Sequence, residues 1–280
     1  MKKISGKWVV EPHRNTLLGY KMKKKLYDKR SRFQRIEIFE TESHGNMMLL
    51  DDCFMLNEYE EFAYHEMIAH VPLYSHPGPE RVIVIGGGDG GTVREVLKHK
   101  SVKEVDFVEI DRKVYEVSRR YFRKLTSWHG DSRVNFRFVD GAKFIREKHN
   151  YYDVAIIDST DPVDIGKVLF SAAFYSGVKK ALKKNGVVAA QTEDPYYSGD
   201  LLRNANKRIK KVFGRAKTAV YTAFIPTYPS GCWTFNLASK TALPGKIKNK
   251  QPVISGLKYY NKKVHRACFC LPEFVEKKVK

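Results

Sequence analysis

Val82-Ile83-Val84-Ile85-Gly86-Gly87-Gly88-Asp89-Gly90-Gly91 sets a run of β-branched residues directly before a glycine-dense turn that holds one carboxylate. The run reads as a buried strand, and the glycines let the backbone pass close to a ligand and adopt positive φ. A strand that enters such a turn and opens a helix cradles a nucleotide-like molecule. The usual cargo there is an anion, which Asp89 would repel. A carboxylate ~4 Å from a phosphate costs about 4 kcal/mol at an effective dielectric of ~20. The same charge stabilises an ammonium by a comparable gross amount, so a nucleoside bearing an amine suits the turn better. The bland alternative for Asp89 is a helix N-cap acid with no ligand. Gly86-x-Gly88-x-x-Gly91 also satisfies the dinucleotide fingerprint, with Glu109 near the offset of a ribose acid. Asp89 argues against that nicotinamide or flavin reading.

Outward from the turn, strands and helices alternate. Strands are expected at 81–86, 104–109, 134–139, 153–158 and 186–191, and helices near 92–99, 111–124, 141–148, 171–183 and 200–212. That rhythm predicts an α/β fold with a parallel sheet covered on both faces. Segments at about 217–223 and 232–238 flank Pro226-Thr227-Tyr228-Pro229-Ser230-Gly231 and are expected to pair antiparallel at the sheet edge. Before residue 57 the pattern is one of short alternating pieces, Phe33 to Phe39 and Met47 to Leu50, with turn signals at His44-Gly45-Asn46 and Asp51-Asp52. The expected division is a small antiparallel β domain over 1–56 and a catalytic domain over 57–280. Asn57 followed by Glu60 reads as a helix start. Tyr59, Phe62, Ala63 and Met67 then recur at helical spacing, and Pro72 with His76-Pro77-Gly78-Pro79 closes the helix.

At 280 residues and 42% hydrophobic content the chain can bury a sizeable core, which argues against disorder. Its 51 Lys and Arg against 31 Asp and Glu give a formal charge of +20. We read this as a lysine-decorated exterior, with the run from Lys21 to Arg35 on a wet face, because no recognisable nucleic-acid module accompanies it. No apolar run reaches the length of a bilayer span, and Met1 to Lys7 lacks the apolar stretch of a signal peptide. Cys53, Cys232, Cys268 and Cys270 are scattered, as in a reducing compartment. A cytoplasmic protein without membrane or nucleic-acid partners is expected. His265-x-x-Cys268-x-Cys270 offers three metal ligands at most, and Cys268-Phe269-Cys270 reads instead as strand alternation, so no metal is expected.

Ligands of an open parallel sheet bind beyond the carboxyl ends of its strands. Those ends offer Asp89, then Glu109 for ribose hydroxyls, Asp140-Gly141 for an adenine amino group, and Asp158. Asp158-Ser159-Thr160-Asp161-Pro162 carries two acids that a turn can aim at one point, and Gln191-Thr192-Glu193-Asp194-Pro195 adds further acids. Acids gathered there on a basic protein imply a cationic ligand. The chemistry that suits them is attack by an amine on carbon next to a sulfonium. Freeing the lone pair of an amine with pKa near 10.4 costs about 4–5 kcal/mol at neutral pH. A positioned carboxylate such as Asp158 can take that proton. Asp161 would anchor a charged amino group, with Tyr64 and Tyr228 lining a channel for methylenes.

The chain resembles the polyamine aminopropyltransferases of the spermidine synthase family over nearly its full length. The resemblance rests on Arg32-Phe33-Gln34, Glu61-Phe62-x-Tyr64-His65-Glu66-Met67, Gly86 to Gly91, Val108-Glu109-Ile110-Asp111 and Asp158 to Pro162. Thr227 to Gly231, Leu257-Lys258-Tyr259-Tyr260-Asn261 and Leu271-Pro272-Glu273-Phe274 complete it. It implies transfer of an aminopropyl group from decarboxylated S-adenosylmethionine, as co-substrate, to putrescine, giving spermidine and methylthioadenosine. It also implies an N-terminal β domain on a Rossmann-like, methyltransferase-type domain, assembled as homodimers or homotetramers, without metal. By matching motif, Gln34, Asp89, Glu109, Asp140 and Gly141 would hold the donor, and Asp158 would be the catalytic base. Tyr64, His65, Asp158, Asp161 and Tyr228 would line the amine site. The chain departs from the pattern at Asp164-Ile165-Gly166-Lys167, where many members read Gly-Pro-Ala-Glu, and at Met55, where some carry Gln. Cadaverine, agmatine or another polyamine therefore stand beside putrescine as acceptors. The other readings are an S-adenosylmethionine-dependent methyltransferase, whose donor carboxylate Asp89 would oppose, and a non-catalytic polyamine- or nucleoside-binding protein.

Overall fold

The computed structural model describes residues 6–160, 168–241 and 244–280. The first sheet is an antiparallel meander of β1 (Trp8–His13), β2 (Thr16–Arg30), β3 (Arg35–Thr41), β4 (Asn46–Leu50) and β5 (Cys53–Asn57). Its last hairpin turns on Asp51 and Asp52, at φ 45° and 68°, the pair of left-handed residues that a tight two-residue loop requires. Alternation along the strands gives the sheet two apolar faces. Ile36, Ile38, Met48 and Leu50 pack on Val114, Val117 and Phe122, while Phe39, Met47 and Leu49 cluster with Val9, Tyr20 and Phe54. The lysine run lies on the wet side, where Lys23 and Lys24 pair with Glu40, and Lys25 pairs with Asp28 and Glu37.

The second sheet contains β6 (Arg81–Gly86), β7 (Glu104–Val108), β8 (Val134–Arg137), β9 (Tyr152–Asp158), β10 (Leu182–Gln191), β11 (Thr218–Phe224) and β12 (Cys232–Ser239). Their spatial order is β11-β12-β10-β9-β6-β7-β8. Strands β6 to β10 pair in parallel, and β12 joins β10 antiparallel with β11 outside it. Helices α1 (Glu61–Ser75) and α2 (Gly91–Leu97) cover one face; α4 (Gly141–Arg146), α5 (Ala172–Ala181) and α6 (Gly199–Phe213) cover the other. Helix α3 (Arg112–Tyr121) carries the contacts to the first sheet. Alternation along β6 divides the two cores: Val82 and Val84 join the α1/α2 side, Ile83 and Ile85 the α4/α5 side. The chain order reverses between β7 and β9 around β6, and at such a switch point a crevice opens beyond the strand ends.

Three local expectations are corrected. Pro72 lies inside α1 rather than closing it, because every residue from Ala63 to Ser75 is buried and that burial outweighs the ~3 kcal/mol that an interior proline costs. Asn57 heads a turn rather than capping α1: its Oδ1 accepts the amides of Tyr59 and Glu60, and the helix begins at Glu61. Cys268-Phe269-Cys270 is not a strand. It follows α7 (Lys262–Ala267), and His265 is engaged by the Tyr260 hydroxyl at 2.7 Å and the Gly245 carbonyl at 3.0 Å. The last helix is α8 (Glu273–Val279). The segment before α7 is fastened to α1 by Glu66, which accepts the amides of Lys258, Tyr259 and Tyr260 at 2.9, 2.8 and 2.8 Å.

Candidate active site

A cavity of about 260 Å³ opens at the switch point, walled by the glycine turn after β6, the ends of β7 and β9, the start of α4, helix α1 and the β4–β5 side of the first sheet. The turn needs its glycines. Gly86 and Gly87 stand at φ 86° and 66°, and a Cβ on Gly87 would lie 2.6 Å from Asp158 Oδ2. The Gly87 amide donates to the Asp158 carbonyl at 2.8 Å, which ties the ends of β6 and β9 together.

Asp158 is buried and receives a hydroxyl at each oxygen: Tyr64 at Oδ1 and Thr92 at Oδ2, both at 2.6 Å. Burial, and then the nearby charge of Asp89, lift its carboxyl to about 6. Tyr64 is wedged edge-on against Tyr228 and tilted against Phe235. Tyr228 in turn donates to the Met55 carbonyl at 3.1 Å, so the first sheet and the loop after β11 meet at the rim.

Asp89 opens onto the cavity. Its Oδ1 accepts the Gly91 amide at 2.7 Å and lies 3.0 Å from His65 Nε2. His65 is buried rather than a surface histidine, and its Nδ1 is 2.6 Å from Glu61. Burial opposes charge on the ring, but Asp89 and Glu61 outweigh it and push His65 up to about 10. Asp89 is held below its ordinary value: its own burial acts the other way, and the His65 charge prevails.

Glu109 lines the cavity from the end of β7 and accepts the Asp111 amide at 2.8 Å; burial raises it to about 7. Asp140 caps α4, with Oδ1 accepting the amides of Ala142 and Lys143 at 2.8 and 3.1 Å. Gly141 opens that helix in a space where a Cβ would meet Ile85 Cγ2 at 2.4 Å. Gln34 reaches in from the loop before β3 and donates to Asp111 Oδ2 at 3.1 Å.

Gln34, Tyr64, His65, Asp89, Glu109, Asp140, Gly141, Asp158 and Tyr228 thus share one cavity. Asp161, and the departure at Asp164 to Lys167, lie outside the described residues. Glu193 and Asp194 are not part of the wall. Asp194 caps the amides of Tyr196 and Tyr197 and so serves its own turn, while the Glu193 backbone carbonyl takes the Thr234 amide. Sequence reasoning missed Thr92, Glu61 as a partner of His65, and Arg94. The Glu61–His65 spacing of four on a helix was a usable signal; Thr92 and Arg94 declare themselves only when α2 is laid beside α1.

Residues 61–249 match the family model described as Spermine/spermidine synthase domain, and residues 7–58 match Spermidine synthase tetramerisation domain. A polyamine aminopropyltransferase of Bacillus subtilis (strain 168) is 43% identical over 278 residues, 99% of this chain and 100% of that protein. One of Caldicellulosiruptor saccharolyticus is 44% identical over 93% of this chain and 94% of its own length. A spermidine synthase crystallised in complex with the transition state analogue AdoDATO superposes with a TM-score of 0.93 at 42% identity, covering 100% of this chain and 98% of that one. The spermidine synthase of Thermotoga maritima does so with a TM-score of 0.91 at 42% identity, covering 100% and 97%. The chain belongs to the spermine/spermidine synthase family and is a polyamine aminopropyltransferase.

Proposed function

We propose that the enzyme transfers the aminopropyl group of decarboxylated S-adenosylmethionine to putrescine, with Asp158 as base. The observation that carries this reading is the placement of a buried, hydroxyl-clamped carboxylate with its proton affinity lifted to about 6, in one cavity with the Asp89 turn. A base poised near the working pH takes a proton efficiently. Glu109 receives the ribose hydroxyls, Asp140 offers an oxygen to the adenine amino group beside Gly141, and Gln34 closes the nucleoside pocket. Asp89 binds the ammonium of the aminopropyl arm. Tyr64, His65 and Tyr228 line the amine channel, and Asp161 has its amine role from the matching motif alone.

In the reaction the acceptor nitrogen gives its lone pair to the methylene next to the sulfonium. The carbon–sulfur bonding pair returns to sulfur, which leaves as the neutral thioether methylthioadenosine. The proton lost by the nitrogen goes to Asp158. Fixing nitrogen and carbon in line supplies much of the acceleration.

The family model for residues 7–58 supports a homo-oligomer, dimer or tetramer, with the β domain over 1–56 as its assembly unit and 57–280 as the catalytic unit. Four free thiols support a cytoplasmic setting; among the described residues no helix is long and apolar enough to cross a membrane. The test is methylthioadenosine release from the decarboxylated donor with putrescine, cadaverine, agmatine or spermidine. Turnover greatest with putrescine is expected; turnover only with another amine replaces the acceptor, and none with any amine removes the reading.

A further inference from the structure

Both ring nitrogens of His65 point at carboxylates: Nδ1 at Glu61 Oε2, 2.6 Å away, and Nε2 at Asp89 Oδ1, 3.0 Å away. Ionised carboxylates only accept, and a neutral imidazole donates from one nitrogen, so two such contacts call for the doubly protonated ring. Glu61 is itself held by a two-pronged pair with Arg94, at 2.9 and 2.8 Å. Arg94 continues to Glu95 at 2.7 Å in the α1/α2 interface. From interior to cavity the charges alternate: Arg94, Glu61, His65, Asp89. Asp158 shares the cavity with Asp89, and two acids in one buried site oppose each other's ionisation.

We infer that His65, held as a cation between Asp89 and Glu61, is a positioning residue that lets Asp89 and Asp158 stay ionised together, one to bind an ammonium and the other to accept a proton. The inference rests on the proposed role of Asp158 as base. The groups facing Asp158 are Tyr64 and His65 from α1, Thr92 from α2, Asp89 from the glycine turn and Glu109 from the end of β7. Among these, His65 alone carries positive charge. Its pull acts on Asp158 against burial and Asp89, and on Asp89 against that residue's burial. Without the ring's charge, a proton would settle on the acid pair near neutrality and the base would be occupied.

The test compares the pH dependence of kcat for wild type and His65→Gln, with saturating decarboxylated donor and putrescine. Glutamine can still donate to Asp89 but brings no charge. The acceptor amine titrates identically in both assays and cancels in the ratio of the two rates. The ratio is expected to fall about fivefold between pH 8 and pH 6, because the acid limb of the variant moves upward by about one pH unit from about 6. A purely structural role predicts a loss that is the same at every pH, and that result overturns the inference. Asp158→Asn separates the two ideas. If it abolishes turnover while the His65→Gln ratio stays flat, only the present inference fails; if it retains turnover, the base assignment fails first. Nitrogen NMR of ring-labelled wild-type enzyme gives a check that needs no variant to fold. The His65 ring is expected to carry protons at both nitrogens at pH 8, and a singly protonated His65 at that pH overturns the inference.

Discussion

Tyr64 and Asp158, 94 residues apart in the chain, meet through a 2.6 Å hydrogen bond in which the phenol donates to the carboxylate. The bond favours the ionised acid, so it works against burial and Asp89, which set the carboxyl at about 6. The same ring forms one wall of the cavity. One side chain therefore contributes to both the packing and the base strength.

Tyr64→Phe should keep the packing and lose the donor. Asp158 then holds its proton more tightly, the acid limb of the kcat profile moves about one unit above 6, and kcat falls about twofold at pH 7 and about tenfold at pH 5. Rates between pH 5 and pH 9 check this; a limb that stays put refutes it.

Asp158→Asn removes the proton acceptor at nearly constant shape. We expect kcat to fall by about 10²–10⁴, with methylthioadenosine affinity retained in calorimetry. Turnover near that of wild type would show that the proton leaves by another route.

Asp89→Asn should weaken the decarboxylated donor by about tenfold or more and ordinary S-adenosylmethionine by less, since the latter brings a carboxylate toward the same turn. Calorimetric titration of both ligands reads the difference. Equal losses would remove the charge argument for Asp89.

Stability should carry a basic limb from His65. Its ring is held up to about 10 in the fold, above a usual 6.5. A raised folded value contributes stability that is fully present below pH 6.5 and is lost as pH climbs through about 10. The gap in urea midpoint between wild type and His65→Gln should therefore shrink steadily from pH 6 to pH 10. A gap that is constant or widens contradicts the assignment.

Glu66→Ala should cost about 3 kcal/mol or more, because it strips the charged acceptor from the amides of Lys258, Tyr259 and Tyr260. Hydrogen exchange should rise first at those amides. Unchanged protection there would mean that the segment is fastened by other contacts.

Much of this was legible in the chain. β6, β9 and β10 announce themselves because strands buried on both faces carry unbroken apolar runs, and the acids after β6 and β9 fall in the cavity. What stayed hidden depends on neighbours distant in sequence. Pro72 reads as a stop until the packing around α1 is known, and Cys268-Phe269-Cys270 reads as a strand because three residues cannot distinguish periods. The acids at 193 and 194 look much like those at 158 and 161 in the sequence, yet they are not in the cavity wall, and Asp194 caps the amides of Tyr196 and Tyr197 instead. The protonation of His65 was the least accessible, since it depends on Asp89 and Arg94 arriving from α2 and its turn.

Helix α1 is enclosed along nearly its whole length and also forms a wall of the cavity. Drift at its positions would disturb the core before it could retune a substrate preference. Lineages acquiring longer or bulkier acceptors would have to change elsewhere, as at Met55 on the margin, whose side chain can vary while its carbonyl still accepts the Tyr228 hydroxyl.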